Sequence, residues 1–124
     1  HLFEAAIDLL SYATFLKCEG KDYRTENLLS LSGVYQPKKE ISESKVPIAL
    51  TTYLTENPQI KTIVLHLDND KAGRLCTAAL KKLLQKEYKI VDDPPPVGKD
   101  FNDFLLSYLG ISRPISKRER SDAR

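Results

Sequence analysis

The sequence predicts a three-layer α/β/α domain on a mainly parallel, four-stranded sheet. Three observations lead there. Short apolar runs alternate with segments of helical spacing, giving strand, helix, strand, helix, strand, helix, strand, helix along the chain. The run "TIVLHL" (Thr62–Leu67) is apolar on both faces apart from His66, as a strand covered by helices on both sides should be. The length of 124 residues fits one domain, and a 41% hydrophobic content can fill a core.

The elements follow in order. His1–Phe3 predicts the end of a first strand. Glu4 to about Cys18 predicts a helix, with Ala6, Leu9, Leu10, Ala13 and Leu16 at three- and four-residue spacing. "EGKDYRTEN" (Glu19–Asn27) is a polar connection. "LLSLSGVY" (Leu28–Tyr35) predicts a second strand, where Gly33 suggests close backbone approach. Gln36–Lys45 lacks apolar rhythm and is assigned to a loop. Pro47 suits the first turn of a helix that runs to about Asn57 and stops before Pro58. Thr62–Leu67 is the third strand. Lys71–Lys86 is the clearest helix, with Ala72, Leu75, Cys76, Ala79, Leu80, Leu83 and Leu84 as its inward stripe. Tyr88–Val91 is a fourth strand. "DDPPPVGKD" (Asp92–Asp100) is irregular because of its consecutive prolines. Phe101–Leu109 is a last helix, ended by Gly110.

Composition excludes several classes. No apolar run approaches the roughly 18–20 residues that cross a membrane, and no secretory h-region is present. Cys18 and Cys76 lie far apart, without CxxC or histidine at ligand spacing. A buried free thiol at each suits a reducing, cytoplasmic setting. Residues 113–124 carry a net +3, which leaves about −1 for the rest of a chain whose total is +2. Residues 1–112 are therefore expected as the domain, and 113–124 as a basic tail or linker that can touch phosphates. The chain contains no Met and starts at His1, which points to a segment of a longer protein.

The acids carry the chemistry. In open α/β sheets, ligands gather at the carboxyl ends of strands. Asp68 ends the third strand and Asp70 stands one residue beyond. Alternate residues of an extended segment point the same way, so both carboxylates can share one hard cation. Asp70 equally suits the N-cap of the Lys71 helix. Glu4 follows the first strand directly. It joins the pair if the first and third strands are neighbours, as a metal ligand or as a general acid/base. Alone, it is a favourable charge at a helix N-terminus. Lys71 and Arg74, on the first turn after the acids, are placed to neutralise a nucleic-acid backbone. His66, inside a strand, is expected to be packed rather than catalytic.

These motifs resemble the Toprim domain shared by bacterial-type primases, topoisomerases and several nucleases. That family carries a Glu after its first strand and a DxD after its third, followed by a small residue and Gly. Here these are Glu4 and Asp68-Asn69-Asp70-Lys71-Ala72-Gly73. "LDNDKAG" resembles the primase branch, and "GKDFNDFLL" (Gly98–Leu106) is similar to the Lys-Asp-x-Asn-Asp stretch of primase-like members. "FEAAIDLLSY" is similar to the Glu-x-x-x-Asp-x-Leu-Ser pattern of Toprim-like domains in plasmid and other mobile-element proteins. One departure is Ala5, where many members have Gly after the first Glu.

The resemblance spans about residues 1–110 and implies Mg²⁺- or Mn²⁺-dependent nucleotidyl transfer or phosphodiester chemistry on nucleic acid. Asp68 and Asp70 would hold the ion, with Glu4 as general acid/base or further ligand. Lys99 would meet a phosphate or triphosphate, and Asp100 is a second-line acid. "GKDFND" can also be a loop with an N-cap. The implied partners are DNA or RNA, nucleoside triphosphates, and further domains such as a helicase. A Toprim-type nuclease and a non-catalytic metal- and nucleic-acid-binding module remain alternatives. A topoisomerase needs a nucleophilic tyrosine, and no tyrosine here has a context that singles it out. Haloacid-dehalogenase-type phosphatases place their DxD on the first strand. Response-regulator receivers place paired acids after the first strand. Both patterns are reversed in this chain.

Overall fold

A computed structural model of the chain describes residues 1–31 and 46–111. Four strands form one parallel sheet in the order β2-β1-β3-β4: β1 (Leu2–Phe3), β2 (Leu29–Ser30), β3 (Thr62–Leu65) and β4 (Lys89–Asp92). Four helices connect or follow them: α1 (Ala6–Cys18), α2 (Ile48–Glu56), α3 (Lys71–Leu84) and α4 (Phe101–Tyr108). A 3₁₀ turn at Tyr23–Thr25 lies inside the polar connection, with the Asp22 carboxylate accepting from the Arg24 backbone N–H. The α/β class, the parallel sheet and the element order are those the sequence predicts. Gly33, the Gln36–Lys45 loop and the 113–124 tail lie outside the described residues.

The connections explain the layering. The chain moves from β1 to β2 on one side, then crosses to β3 and β4 on the other. Right-handed crossovers in opposite directions put their helices on opposite faces. One face carries α2 and α3 over an aliphatic core of Leu2, Leu50, Leu54, Ile63, Leu65, Leu67, Cys76, Leu80 and Leu84. On the other face, α1 packs against α4. There the core is aromatic, and Phe3 and Tyr12 meet Phe101, while Phe15 meets Phe104. Alternation along the strands accounts for the split. Leu2 and Leu65 turn to one face, and Phe3 and His66 to the other.

His66 is buried among these rings, stacked on Phe3 and on His1. Its Nδ1–H donates to the Asp93 carbonyl at 2.8 Å. A carbonyl can only accept, so this contact fixes the tautomer. Burial pushes the ring pKa down to about 4, so it is neutral at pH 7.

Several expectations are corrected. The third strand is shorter, ending at Leu65, although Leu67 is still buried. The fourth is shifted by one residue, because Asp92 pairs in register with Leu65. On α3, Leu75 is 53% exposed and Ala72 is also exposed. The inward face instead includes Gly73 and Thr77. On α1, Leu10 is 59% exposed and Ala6 is exposed, whereas Asp8 and Ser11 are buried beside Ala13 and Leu16. Cys76 is buried as expected, but Cys18 is exposed at the end of α1.

Candidate metal centre

β1 is hydrogen-bonded to both β2 and β3, so the strand order reverses direction between β1 and β3. At such a switch point the adjoining loops diverge and leave a crevice at the carboxyl ends. Glu4 leaves β1 there, and Asp68 to Asp70 leave β3 there. The sequence had left open whether the first and third strands are neighbours; Leu2 lies beside Leu65.

The loop after β3 is held tightly. Asn69 N–H donates to the Lys99 carbonyl at 2.6 Å, tying it to the loop before α4. Asp70 is the N-cap of α3, its Oδ1 accepting from the Gly73 N–H at 2.7 Å. Gly73 is required where it stands. A Cβ there would lie 1.9 Å from the Asp68 carbonyl oxygen, an impossible contact with backbone. The small-residue-then-Gly spacing after the DxD therefore lets α3 press directly onto the loop that carries Asp68.

The second loop arrives from β4. Gly98 has φ +82, a left-handed conformation that favours glycine. Asp100 is the N-cap of α4, accepting from the Asp103 N–H at 2.8 Å. Asp103 Oδ2 accepts in turn from the Lys99 N–H at 3.3 Å. Asp70 and Asp100 thus both serve the capping role that sequence reasoning kept as the plain alternative. Each cap uses one carboxylate oxygen, and Asp70 Oδ2 sits 3.6 Å from Lys99 Nζ.

One acid was missed as a site residue. Asp8 is only 3% exposed, on the inner side of α1, and its Oδ1 accepts from the Asn102 N–H at 3.3 Å. Ser11 Oγ donates to Asn102 Oδ1 at 3.3 Å and to the Ile7 carbonyl at 2.8 Å. These contacts join α1 to α4 beside the crevice. A signal was available: Asp8 is four residues after Glu4, and Asn102 lies inside the "KDFND" stretch.

The electrostatics are those of crowded carboxylates. Asp68 is pushed up to about 7, first by burial, then by Glu4, Asp8, Asp100 and Asp70. Asp8 is pushed up to about 6 by burial and Asp100, against the Asn102 N–H. Burial also raises Glu4, with the Asp68 backbone N–H and Lys99 opposing and Asp70 and Asp100 adding to it. Burial works against the charge on Lys99, yet Asp70, Asp68 and Asp100 outweigh it and raise its pKa. These mutual influences place Glu4, Asp8, Asp68, Asp70 and Asp100 within one field, with Lys99 as their cationic neighbour.

The other basic candidates differ. Arg74 is tied to Asp92 at the end of β4 through two contacts of 2.9 and 3.0 Å, and also reaches the Leu67 carbonyl at 3.4 Å. Lys71 is exposed and makes no ion pair among the described residues. A cavity of about 320 Å³ lies at the opposite rim, beside the amino ends of β1 and β3, lined by His1, Leu50, Tyr53, Ile60, Lys61 and Ile63. It is remote from the acids and has no part in their chemistry.

The donor set fits a hard divalent cation. All donors are carboxylate oxygens, and Glu4 Oε2 is buried without a hydrogen-bond partner. Among the described residues, no group of three or more His, Cys, Asp or Glu side chains is arranged to hold a metal ion. Mg²⁺ seldom needs such a group. It usually takes one or two carboxylates and completes its shell with water and substrate phosphate.

A family model of Toprim-like domains matches residues 1–105. The chain belongs to the Toprim-like family. Toprim domains bind Mg²⁺ and work in metal-dependent nucleic-acid processing, often as the catalytic part of primases, nucleases and topoisomerases. No curated protein and no solved structure matches the chain. No described helix of this Toprim-like domain is long and apolar enough to cross a membrane.

Proposed function

We propose that this Toprim-like domain performs Mg²⁺- or Mn²⁺-dependent nucleotidyl transfer in a primase-like, cytoplasmic DNA-processing protein of the kind found on mobile elements. Residues 1–112 would be the catalytic unit and 113–124 a basic tail. The observation that carries the reading is the meeting of Glu4 with Asp68 and Asp70 at the β1/β3 switch point, where Glu4 Oε2 is buried and unpaired. The partners would be a template strand, nucleoside triphosphates and other domains of a longer parent, such as a helicase.

The roles follow from the chemistry of each group. Asp68 and the outward oxygen of Asp70 would hold the ion, which when bound stabilises the charge that builds on a transferring phosphoryl group. Occupancy would also offset the burial, and the repulsion from neighbouring acids, that together push Asp68 up to about 7. Glu4, with its pKa raised, is suited to take a proton from an attacking hydroxyl and release it afterwards. Lys99 stands over Asp70 as a compact cation for a triphosphate, with Asp100 as a supporting acid. Lys71 would contact the nucleic-acid backbone. Arg74 would do so only with its Asp92 pair opened, and otherwise anchors β4 to α3.

Calorimetric titration with Mn²⁺ and primer synthesis on single-stranded DNA test this together. Asp68→Asn with Asp70→Asn should abolish Mn²⁺ binding. Glu4→Gln should retain it while lowering synthesis by about 10²–10⁴-fold. Equal Mn²⁺ binding by wild type and the double variant rejects the site. Nicking of plasmid DNA without primer synthesis would assign the same acids to a nuclease.

A further inference from the structure

The outward face of α3 carries lysines at both of its ends and no acid between them. From Lys71 to Lys86 the sequence contains no Asp or Glu. Lys71, Leu75, Ala78 and Lys82 follow one another at four-, three- and four-residue steps, so they form one line along the helix. All four are exposed, as are Lys81 beside the line and Lys86 in the turn beyond. None of these lysines makes an ion pair among the described residues. Eleven residues at 1.5 Å each put Lys82 about 16 Å along the axis from Lys71.

Ordinary helix electrostatics accounts for only half of this face. Lys81 and Lys82, in the last turn, complement the negative end of the helix dipole. Lys71 is in the first turn, where that dipole disfavours a cation. Leu75 is 53% exposed in the middle of the line, where the helical stripe had placed it inward. An apolar side chain flanked by lysines suits a polyanion whose sugars and bases are apolar between its charges.

We propose that α3 is a track for one nucleic-acid strand, running from the metal centre at Lys71 past Leu75 to Lys82 and Lys86. This rests on the reading of the acids as a phosphodiester site. It adds a direction: the strand leaves the crevice along α3 and away from the α1/α4 face. A line of point charges one helix wide matches a single backbone and reads no sequence, so binding should be sequence-tolerant and strongly salt-dependent.

The test uses the whole chain, a fluorescein-labelled oligothymidylate and anisotropy over a range of salt concentrations. Lys82→Ala with Lys86→Ala should lower the slope of log affinity against log salt by about 1.4, which is about 25-fold weaker binding at 0.1 M salt. Mn²⁺ binding should be unchanged, since these residues are remote from the acids. An unchanged slope with Mn²⁺ binding intact overturns the track and leaves the metal centre standing. A lower melting temperature with an unchanged slope means that the lysines only cap the helix, and also overturns it. Tighter binding of polyglutamate than of oligothymidylate assigns the face to an acidic protein and overturns it. If the wild type itself binds no Mn²⁺, the underlying site fails instead.

Discussion

The two faces of the sheet solve the burial problem differently. Under α2 and α3 the core is aliphatic, with Leu65, Leu67 and Leu80 fully buried and only Thr77 as a buried polar residue of α3. Under α1 and α4 the core is aromatic, and it buries Asp8, Ser11 and His66 among Phe3, Tyr12 and Phe101. Each buried polar group has a partner: the Asn102 N–H for Asp8, the Ile7 carbonyl for Ser11, and the Asp93 carbonyl for His66. Polar groups in a dry interior are tolerated on those terms. The first face carries α3 and the Asp68–Asp70 loop that leads into it, and the second supports Glu4, Asp8 and Asp100, which belong to α1, α4 and their leading turns.

Truncating one large side chain on each face should expose this difference most strongly. Phe101→Ala should cost about 4 kcal/mol and Leu80→Ala about 3 kcal/mol by urea unfolding. Phe101 sits between Asp100 and Asn102, so its loss should also weaken Mn²⁺ binding, whereas Leu80→Ala should leave Mn²⁺ affinity unchanged. Equal effects of both on Mn²⁺ would dissolve the distinction between the faces.

A smaller effect concerns the charge buried on the aromatic face. Asp8 has a folded pKa of about 6 against an ordinary 3.8, so below the lower value it is protonated in both states. Between the two values the folded state binds more protons than the unfolded, and stability falls as pH rises. Asp8→Asn removes that loss. The variant should match wild type near pH 4 and exceed it by about 1–2 kcal/mol at pH 8. A constant difference across that range would mean that Asp8 acts only through its hydrogen bond.

The smallest effect is expected outside both cores. Leu10→Ser replaces a 59% exposed leucine on the outer side of α1 and should change stability by no more than about 0.5 kcal/mol. A larger loss would mean that α1 faces inward where the helical stripe had put Leu10, and the orientation of the aromatic face would have to be redrawn.

Most of the architecture was legible because periodicity records burial when a helix lies on an apolar sheet. α3 shows this well, since Cys76, Ala79, Leu80 and Leu84 fall inward as their spacing requires. The same rule failed on α1. Its outer face carries Ile7 and Leu10, and its inner face carries Asp8 and Ser11, so apolar residues surround the helix and no stripe stands out. The DxD and the late Lys-Asp stretch were visible as motifs. Asp8 was visible only as part of a pattern, because nothing in its neighbours reveals that Asn102, 94 positions away, offers it a backbone donor.

The sequence by itself determined the order of elements and the parallel sheet, because these depend on local backbone preference and on apolar content. The tertiary structure alone decided that β1 lies beside β3, and so that the turns carrying Glu4 and Asp68 leave the sheet at one crevice. It also decided which faces of α1 and α3 turn outward. Strand order and helix rotation are set by long-range packing, and a side chain's charge acts through space on whatever that packing brings near it.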